Sequence, residues 1–402
     1  MANNWSALIA HLNSGADLTP SLTEEVMREI LEGLAEENDV KDFLLALKNK
    51  GESSTDISLM VKELLKYALP INITDRAVDP VGTGGDGKNT VNISTSAAIV
   101  TTAAGARVVK HGSIAASSKS GAADVLTALG IATDLTGPEV EETVRKLGIG
   151  FMKATTFHSA LRHAAPARKA LGVPTVFNIL GPLANPAQPK VIALGVAPKE
   201  KLPIMAKVVS DRGGEGFAFR GDDGIDELTL ATTSTVLQIS NGEIQAHKFD
   251  PEEIGIERAP LTSLIGGVPE VNAKIIRGVF EGDQGPIRDA ILLNAAIAIA
   301  AFKGDSVDGH DFASQATKSG AEFVLSSKKI SEPHILVSDV QKALTSLAIY
   351  NRSKLIDMKV IAITGSQGKT TTKDFAAHLI GMLGNTVAPV ASLNNELGVP
   401  LL

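Results

Sequence analysis

An α/β fold with a helical N-terminal segment is predicted by three observations on the 402-residue chain. The N-terminal stretch carries apolar residues at helical spacing. From Ala77 onward, β-branched apolar runs alternate with alanine-rich helical ones, and a glycine-rich loop, Gly82-Thr83-Gly84-Gly85-Asp86, stands between such a run and a helix. Strand, glycine turn and helix N-terminus, in that order, form the place where parallel sheets take up phosphate. Glycine admits positive φ there, and the first helical N–H groups have no partners of their own.

The elements follow in order. A first helix is predicted from Val26, Ile30 and Leu34, with Ser21 and Glu24 at capping-box spacing. A second uses Val40, Phe43, Leu44 and Leu47 and ends near Gly51; a third uses Ile57, Met60, Val61, Leu64 and Leu65 and stops before Pro70. Nothing in residues 1–75 points to chemistry, and the segment reads as a small helical domain that could offer a dimer surface. A strand through Ala77, Val78 and Val81 then enters the glycine loop, and a small-residue helix runs from Ser94 to Ala104. Further strands at Ala106–Val109, Val191–Val196 and Gly216–Phe219 are apolar enough for a buried, mainly parallel sheet. A helix is expected over 156–171, and Ala290 to Phe302 reads as a buried helix, too short for the ~20 residues of a membrane span. The α/β segment is bounded at 76–330, because Ser331-Glu332-Pro333 breaks the pattern; in the remaining 334–402, a strand at Val360–Ile363 leads into a second glycine loop.

Composition excludes several classes. Hydrophobic residues make up 44%, which predicts a soluble, globular chain. Lys and Arg number 38 against 45 Asp and Glu, a net charge of −7 that argues against a broad nucleic-acid footprint, so an anionic ligand must be captured locally. Zero cysteines exclude disulfides and thiolate metal sites and fit a cytoplasmic location; no secretory leader is seen before Trp5.

Three clusters carry candidate chemistry. Thr90, Asn92, Ser94 and Thr95 add polar side chains where helix N-terminal amides point, more than capping requires. Lys110-His111-Gly112 ends a second strand with a cation and a glycine, followed by Ser117, Ser118 and Lys119. Asp226 and Glu227 follow the turn Gly221-Asp222-Asp223-Gly224. They read either as a solvated acidic turn or as metal ligands. Facing a phosphate at about 5 Å, each would be repelled by ~3 kcal/mol at an effective dielectric near 20, which an intervening Mg²⁺ would relieve. His158 and Arg168, with Arg162 and His163, form either a solvated basic helix face or one wall of a pocket shaped by the long, ordered turn Phe177-Asn178-Ile179-Leu180-Gly181-Pro182-Leu183-Ala184-Asn185-Pro186.

Taken in order, these motifs resemble the anthranilate phosphoribosyltransferase family over about residues 4–330. The resemblance implies a nucleoside-phosphorylase-like α/β domain beside a helical one, a homodimer, and transfer of phosphoribosyl from 5-phosphoribosyl diphosphate to the anthranilate nitrogen in tryptophan synthesis. It implies that Gly82, Gly85, Asp86, Thr90, Asn92, Ser94, Thr95, Lys110 and Ser118 hold the phosphoribosyl diphosphate, with Ser94, Asp226 and Glu227 on Mg²⁺. Arg168 would pair with the anthranilate carboxylate, with His158 and Gly181 lining its path and His111, Gly112, Ser113 and Ser117 completing the substrate set. Catalysis would rest on Lys110, Asp226 and Glu227. The chain departs from the family where Asn and Arg normally follow the Lys-His-Gly triplet: Ser113 and Ile114 stand there, and Ala122 replaces a common Ser. Acceptor binding is therefore expected to be weakened. Two other readings are a non-catalytic nucleic-acid-binding relative of the same fold and an ATP-binding ligase fragment.

The last segment resembles the Mur ligases, closest to the one that adds D-alanyl-D-alanine to the peptidoglycan precursor. Gly365, Gly368, Lys369 and Thr370 would form its nucleotide loop, followed by Asn394-Asn395-Glu396-Leu397-Gly398-Val399-Pro400. The chain ends soon after, at Leu402, so a partial P-loop α/β segment without ligase activity is expected.

Overall fold

The computed structural model describes residues 5–115, 119–304, 313–318, 320–355, 359, 361, 369–382 and 384–388. The chain divides into two compact units, one of Met1–Glu252 with Ile256–Asp305 and one of Glu253–Gly255 with Ser306–Leu402.

The first unit opens with four helices, α1 (Trp5–Asn13), α2 (Pro20–Leu31), α3 (Glu37–Lys50) and α4 (Ser54–Lys66). The capping box expected at Ser21 and Glu24 does not form. Helix α2 starts earlier, with Pro20 in its first turn, where a missing N–H costs nothing, and the Thr19 side chain accepts from the Leu22 N–H. Leu34 lies beyond this helix and is exposed. Ser53 and Asp56 form a capping box on α4 instead. Phe43, Leu47, Met60 and Leu64 from these helices share one core with Leu180, Leu194 and Met205 of the sheet layer.

The α/β layer continues with β1 (Val78–Gly82), α5 (Ile93–Ala103), β2 (Val108–Gly112), α6 (Ala122–Ala128), α7 (Gly137–Leu147), β3 (Ile149–Lys153), α8 (Ala154–Phe157), α9 (Ala165–Leu171), α10 (Phe177–Leu183), β4 (Val191–Gly195), α11 (Leu202–Asp211), β5 (Glu215–Gly221), β6 (Ser234–Ser240), β7 (Glu243–Phe249), α12 (Pro269–Glu281) and α13 (Pro286–Lys303). The strands form one seven-stranded sheet in the order β3-β2-β1-β4-β5-β6-β7. Strands β1 to β5 are parallel, while β6 and β7 return antiparallel. The order reverses at β1, flanked by β2 and β4, which is the crevice where parallel sheets bind ligands beyond their C-terminal ends. A second core on the opposite face joins Val78, Ile93, Val108, Ala193, Leu228, Ile276 and Leu293. The apolar run from Ala290 lies in α13, packed on α5.

Two expected elements differ. The single helix over 156–171 is broken into α8, a 3-10 turn at Ser159–Ala164 and α9, with His158 at φ −121° and ψ 52°. Pro166 stands in the first turn of α9, where its missing N–H favours a fresh helix start over continuation. The segment from Phe177, expected as an extended turn, is a short helix as far as Leu183, seeded by Asn178 Oδ1 accepting from the Thr175 N–H.

In the second unit, β8 (Val324–Ser326) pairs in parallel with β9 (His334–Leu336), joined through Ser331–Pro333. Helices α14 (Ala313–Lys318), α15 (Val340–Lys354) and α16 (Lys369–Gly381) accompany them, α15 capped by the Asp339 side chain. The strand expected over 360–363 lies outside the described residues except for Ile361. Among the described residues no single helix is long and apolar enough to cross a membrane.

Candidate active site

The glycine loop leaves β1 at the reversal point. Gly84, Gly85 and Gly87 have φ of 64°, 73° and 69°, the left-handed region that a side chain resists. Their amides are thereby free to converge, and the Gly84 N–H donates to Asp226 Oδ2 at 2.6 Å. Across the loop, the Ser94 N–H in the first turn of α5 donates to Glu227 Oε1 at 2.9 Å. The acidic turn is therefore no solvated ornament; it is pinned to both halves of the loop.

Two glycines make room for it. A Cβ on Gly82 would lie 2.2 Å from Asp226 Oδ2, and one on its β4 neighbour Gly195 only 1.7 Å from the Asp226 carbonyl oxygen. The carboxylates can approach the sheet because neither strand end carries a side chain. Burial, with repulsion from Asp86, pushes the Asp226 carboxyl up to about 6. Burial, with repulsion from Asp226, also pushes Glu227 well above the usual range. The pair carries a surplus of negative charge opposed chiefly by Lys110, buried on β2. The Lys110 ammonium donates to the Pro80 carbonyl and approaches Ser94 Oγ at 3.4 Å; burial lowers its pKa against the pull of Asp79, Glu227 and Asp226.

Hard oxygen donors with excess charge fit Mg²⁺, which keeps several waters and draws further ligands from substrate phosphate. Asp226, Glu227 and the Ser94 hydroxyl are suitable donors. No cluster of three or more His, Cys, Asp or Glu side chains able to hold a metal occurs among the described residues, so a site here would need substrate or water to complete it.

The other residues expected to hold the anion make contacts of their own. Asn92 exchanges hydrogen bonds with Ser120, donating to its carbonyl and accepting from its hydroxyl, and also accepts from Asn272 Nδ2 at 2.9 Å. Thr90 bridges Ile265, Asp86 Oδ1 accepts from the Lys88 N–H, and Thr95 is buried on α5. Ser117 and Ser118 lie outside the described residues. So do Gly365 and Gly368 of the second glycine loop, as do the side chains of Lys369 and Thr370, whose backbone opens α16.

A second group stands beside the end of β2. His111 Nδ1 meets the Gly181 carbonyl at 3.0 Å and His158 Nε2 the Ala184 carbonyl at 2.7 Å, with the rings edge to face at 5.2 Å. Their other nitrogens, His111 Nε2 and His158 Nδ1, are buried without partners. Burial and the neighbouring His158 push His111 down to about 3, and burial lowers His158, so both rings are neutral at neutral pH. The Arg168 guanidinium lies over the Phe177 ring at 5.6 Å, and burial lowers its pKa. Gly112 ends the strand, while Ser113 and Ile114 follow it exposed, the Ser113 carbonyl accepting from the Ala123 N–H.

Sequence reasoning missed Asp79, Gly195 and Asn272 as parts of this construction and named Asn185 only within the segment that shapes the pocket. Asp79 is fully buried, accepting from the His111 N–H at 3.2 Å and Asn185 Nδ2 at 2.8 Å; burial raises its carboxyl to about 7 against the pull of Lys110. The available signal was an acid followed by proline inside an apolar strand.

Comparison with known proteins agrees in extent and fold. A family profile described as "Glycosyl transferase family, a/b domain" matches residues 74–323. Over 332 residues the chain is 46% identical to an anthranilate phosphoribosyltransferase of Rhodococcus jostii (strain RHA1), covering 81% of this chain and 92% of the relative. The crystal structure of the enzyme of that name from Thermus thermophilus superposes with a TM-score of 0.70 at 41% identity, over 74% of this chain and 90% of that one. The Saccharomyces cerevisiae structure, in complex with PRPP and Mg, gives a TM-score of 0.69 at 30% identity, over 76% and 90%.

Proposed function

The chain belongs to the anthranilate phosphoribosyltransferase family, and from that premise we propose that its loop ends transfer phosphoribosyl from 5-phosphoribosyl diphosphate to the nitrogen of anthranilate, releasing diphosphate. The observation that carries the reading is the acidic pair held by the Gly84 and Ser94 amides beside a buried lysine. It supports an anion site with its own provision for a cation.

In this reading Gly82, Gly85, Asp86, Thr90, Asn92, Thr95 and Ser118 cradle the phosphoribosyl diphosphate, while Asp226, Glu227 and Ser94 hold Mg²⁺. That ion would supply positive charge to the departing diphosphate oxygens. Lys110 adds a fixed positive charge from the end of β2, preorganised by its bond to the Pro80 carbonyl. The C1–oxygen bond to diphosphate breaks with its electron pair leaving on oxygen, and the amine lone pair forms the C1–nitrogen bond. The aromatic amine is uncharged at neutral pH and loses its proton after attack, so alignment matters more than a strong base. Arg168 receives the anthranilate carboxylate, and the neutral rings of His111 and His158, with Gly181, Gly112, Ser113 and Ser117, line the approach.

Residues 1–75 and 76–330 supply this machinery, acting in a cytoplasmic homodimer. Residues 334–402 are read as a Mur-ligase-type nucleotide segment at Gly365, Gly368, Lys369 and Thr370. ATP binding that survives Lys369→Ala would remove that assignment.

The test mixes the purified chain with anthranilate, phosphoribosyl diphosphate and Mg²⁺ and follows anthranilate fluorescence. Fluorescence is expected to fall with the wild type and to persist with Asp226→Asn/Glu227→Gln. A wild-type chain that leaves it unchanged at high anthranilate would overturn the proposal.

A further inference from the structure

We propose that Asp79, through Asn185, is a positioning residue that sets the separation between the glycine loop and Lys110. Strand β1 pairs with β4 along all five residues but with β2 only at Val78↔Val108. Backbone groups in a parallel strand alternate between the two neighbours, and the Val78 N–H bonds towards β2, so the next residue facing β2 is Pro80. Proline has no N–H, and the ladder stops there.

The backbone groups left facing one another are satisfied by side chains. Asp79 Oδ1 takes the His111 N–H, Asn185 Nδ2 donates to the Val109 carbonyl at 2.8 Å, and Lys110 Nζ donates to the Pro80 carbonyl. Asn185 Nδ2 also donates to Asp79 Oδ2, and Asn185 Oδ1 holds the Ala187 N–H, which locks the amide's orientation. The two strand ends that carry the loop and Lys110 are thus held apart by a side-chain spacer. A backbone ladder would close the gap and bring β2 directly against β1. Since Asp79 approaches no open part of the site, its effect passes through the strands.

The inference rests on the proposed transfer reaction. Asp79→Asn keeps the shape but turns an amide nitrogen towards a donor that needs an oxygen. Asn185→Ala removes the tie from the other side. The control is Asp56→Asn in the helical segment, an equally buried carboxylate that accepts from the Leu18 N–H and pairs with Lys50.

Steady-state kinetics and calorimetric titration with phosphoribosyl diphosphate and Mg²⁺ are measured on each folded protein. Both seam variants are expected to raise KM and Kd for the diphosphate by at least about fivefold, with KM for anthranilate within about twofold. Asp56→Asn is expected to lower Tm while leaving both constants in place. A merely structural role reduces the active fraction and moves neither constant. Unchanged diphosphate constants in the seam variants, or the same shift in Asp56→Asn, would overturn the proposal. Asn185→Ala decides alone if Asp79→Asn does not fold. Wild-type turnover is measured first, so failure of the activity is separated from failure of the spacer.

Discussion

Replacing Gly195 by alanine adds one methyl group, yet its consequence can be worked out from the geometry. The new Cβ would sit 1.7 Å from the Asp226 carbonyl oxygen and 2.7 Å from its carbon, both backbone atoms that cannot rotate away. Restoring a contact of about 3.2 Å requires the 226–227 turn to retreat by roughly 1.5 Å, a misplacement of the size that costs about 10²-fold in activity. That retreat breaks the bonds to the Gly84 and Ser94 amides, now 2.6 and 2.9 Å long. Hydrogen bonds to charged groups contribute about 1.5–3 kcal/mol each, so the two together correspond to a fall in kcat/KM of about 10²–10⁴. Gly82→Ala provides an internal scale, because its Cβ collides with the end of the Asp226 side chain, at 2.2 Å, which can swing, and meets the Asp226 carbonyl oxygen only at an ordinary 3.5 Å. Its loss should be smaller. The assay is anthranilate fluorescence at saturating Mg²⁺, with far-ultraviolet circular dichroism and a thermal melt to establish folding. A folded Gly195→Ala protein within tenfold of wild type, or one more active than Gly82→Ala, refutes the argument that the bare strand ends position the acidic pair.

Three further outcomes are expected. Asp226→Asn/Glu227→Gln loses more than about 10²-fold in turnover at every Mg²⁺ concentration and also loses any rise in Tm that Mg²⁺ produces; a persisting rise would move the cation elsewhere. Because the folded pKa of His111 is depressed to about 3, its stabilising contribution is present above pH 6.5 and is lost as pH falls through the window down to 3. The raised carboxyls of Asp79 and Asp226 act with the opposite sign, favouring the fold as pH falls from about 7 and about 6 respectively. His111→Gln should therefore make the slope of unfolding free energy against pH more negative by about 1.4 kcal/mol per pH unit in that window, read from urea midpoints; an unchanged slope would mean that the ring is not buried neutral. Finally, Ser113→Asn, restoring the residue common in the family, is expected to lower KM for anthranilate by about fivefold, one added hydrogen bond, and to leave that for phosphoribosyl diphosphate unchanged. No change in the anthranilate constant would remove Ser113 from the acceptor pocket.

The parts of the fold legible in the sequence are those that depend on local pattern. Apolar spacing at Val40, Phe43 and Leu47, or at Met60 and Leu64, anticipates buried helix faces, and the glycines from Gly82 anticipate a loop with left-handed backbone. Order along the chain brought Asp226 and Glu227 into the same picture, but their direct bonds to the Gly84 and Ser94 amides are not legible there. What escaped depends on distant neighbours. Gly195 reads as an ordinary strand-end glycine until the Asp226 backbone is seen over it. Asp79 reads as a flaw in an apolar strand until the His111 amide and Asn185 are seen around its carboxylate. The break at His158 was obscured because Pro166 stands eight residues on, and a proline reads equally as the first turn of a new helix or as a kink in a long one.

The side-chain seam between β1 and β2 also orders the events of folding. Ladder bonds form as strands dock, but this seam needs Asp79 and Asn185, 106 positions apart in the chain. Closing so long a loop carries its entropy cost before the contact returns anything. Strands β1 and β2, neighbours in the chain, can therefore dock before the spacer between Asp79 and Val109 forms, and the anion end of the sheet takes its final width only when β4 arrives with the segment carrying Asn185. The loop and Lys110 reach their final spacing only with β4 in place, and a chain arrested before that step would hold β1 beside β2 without a working site.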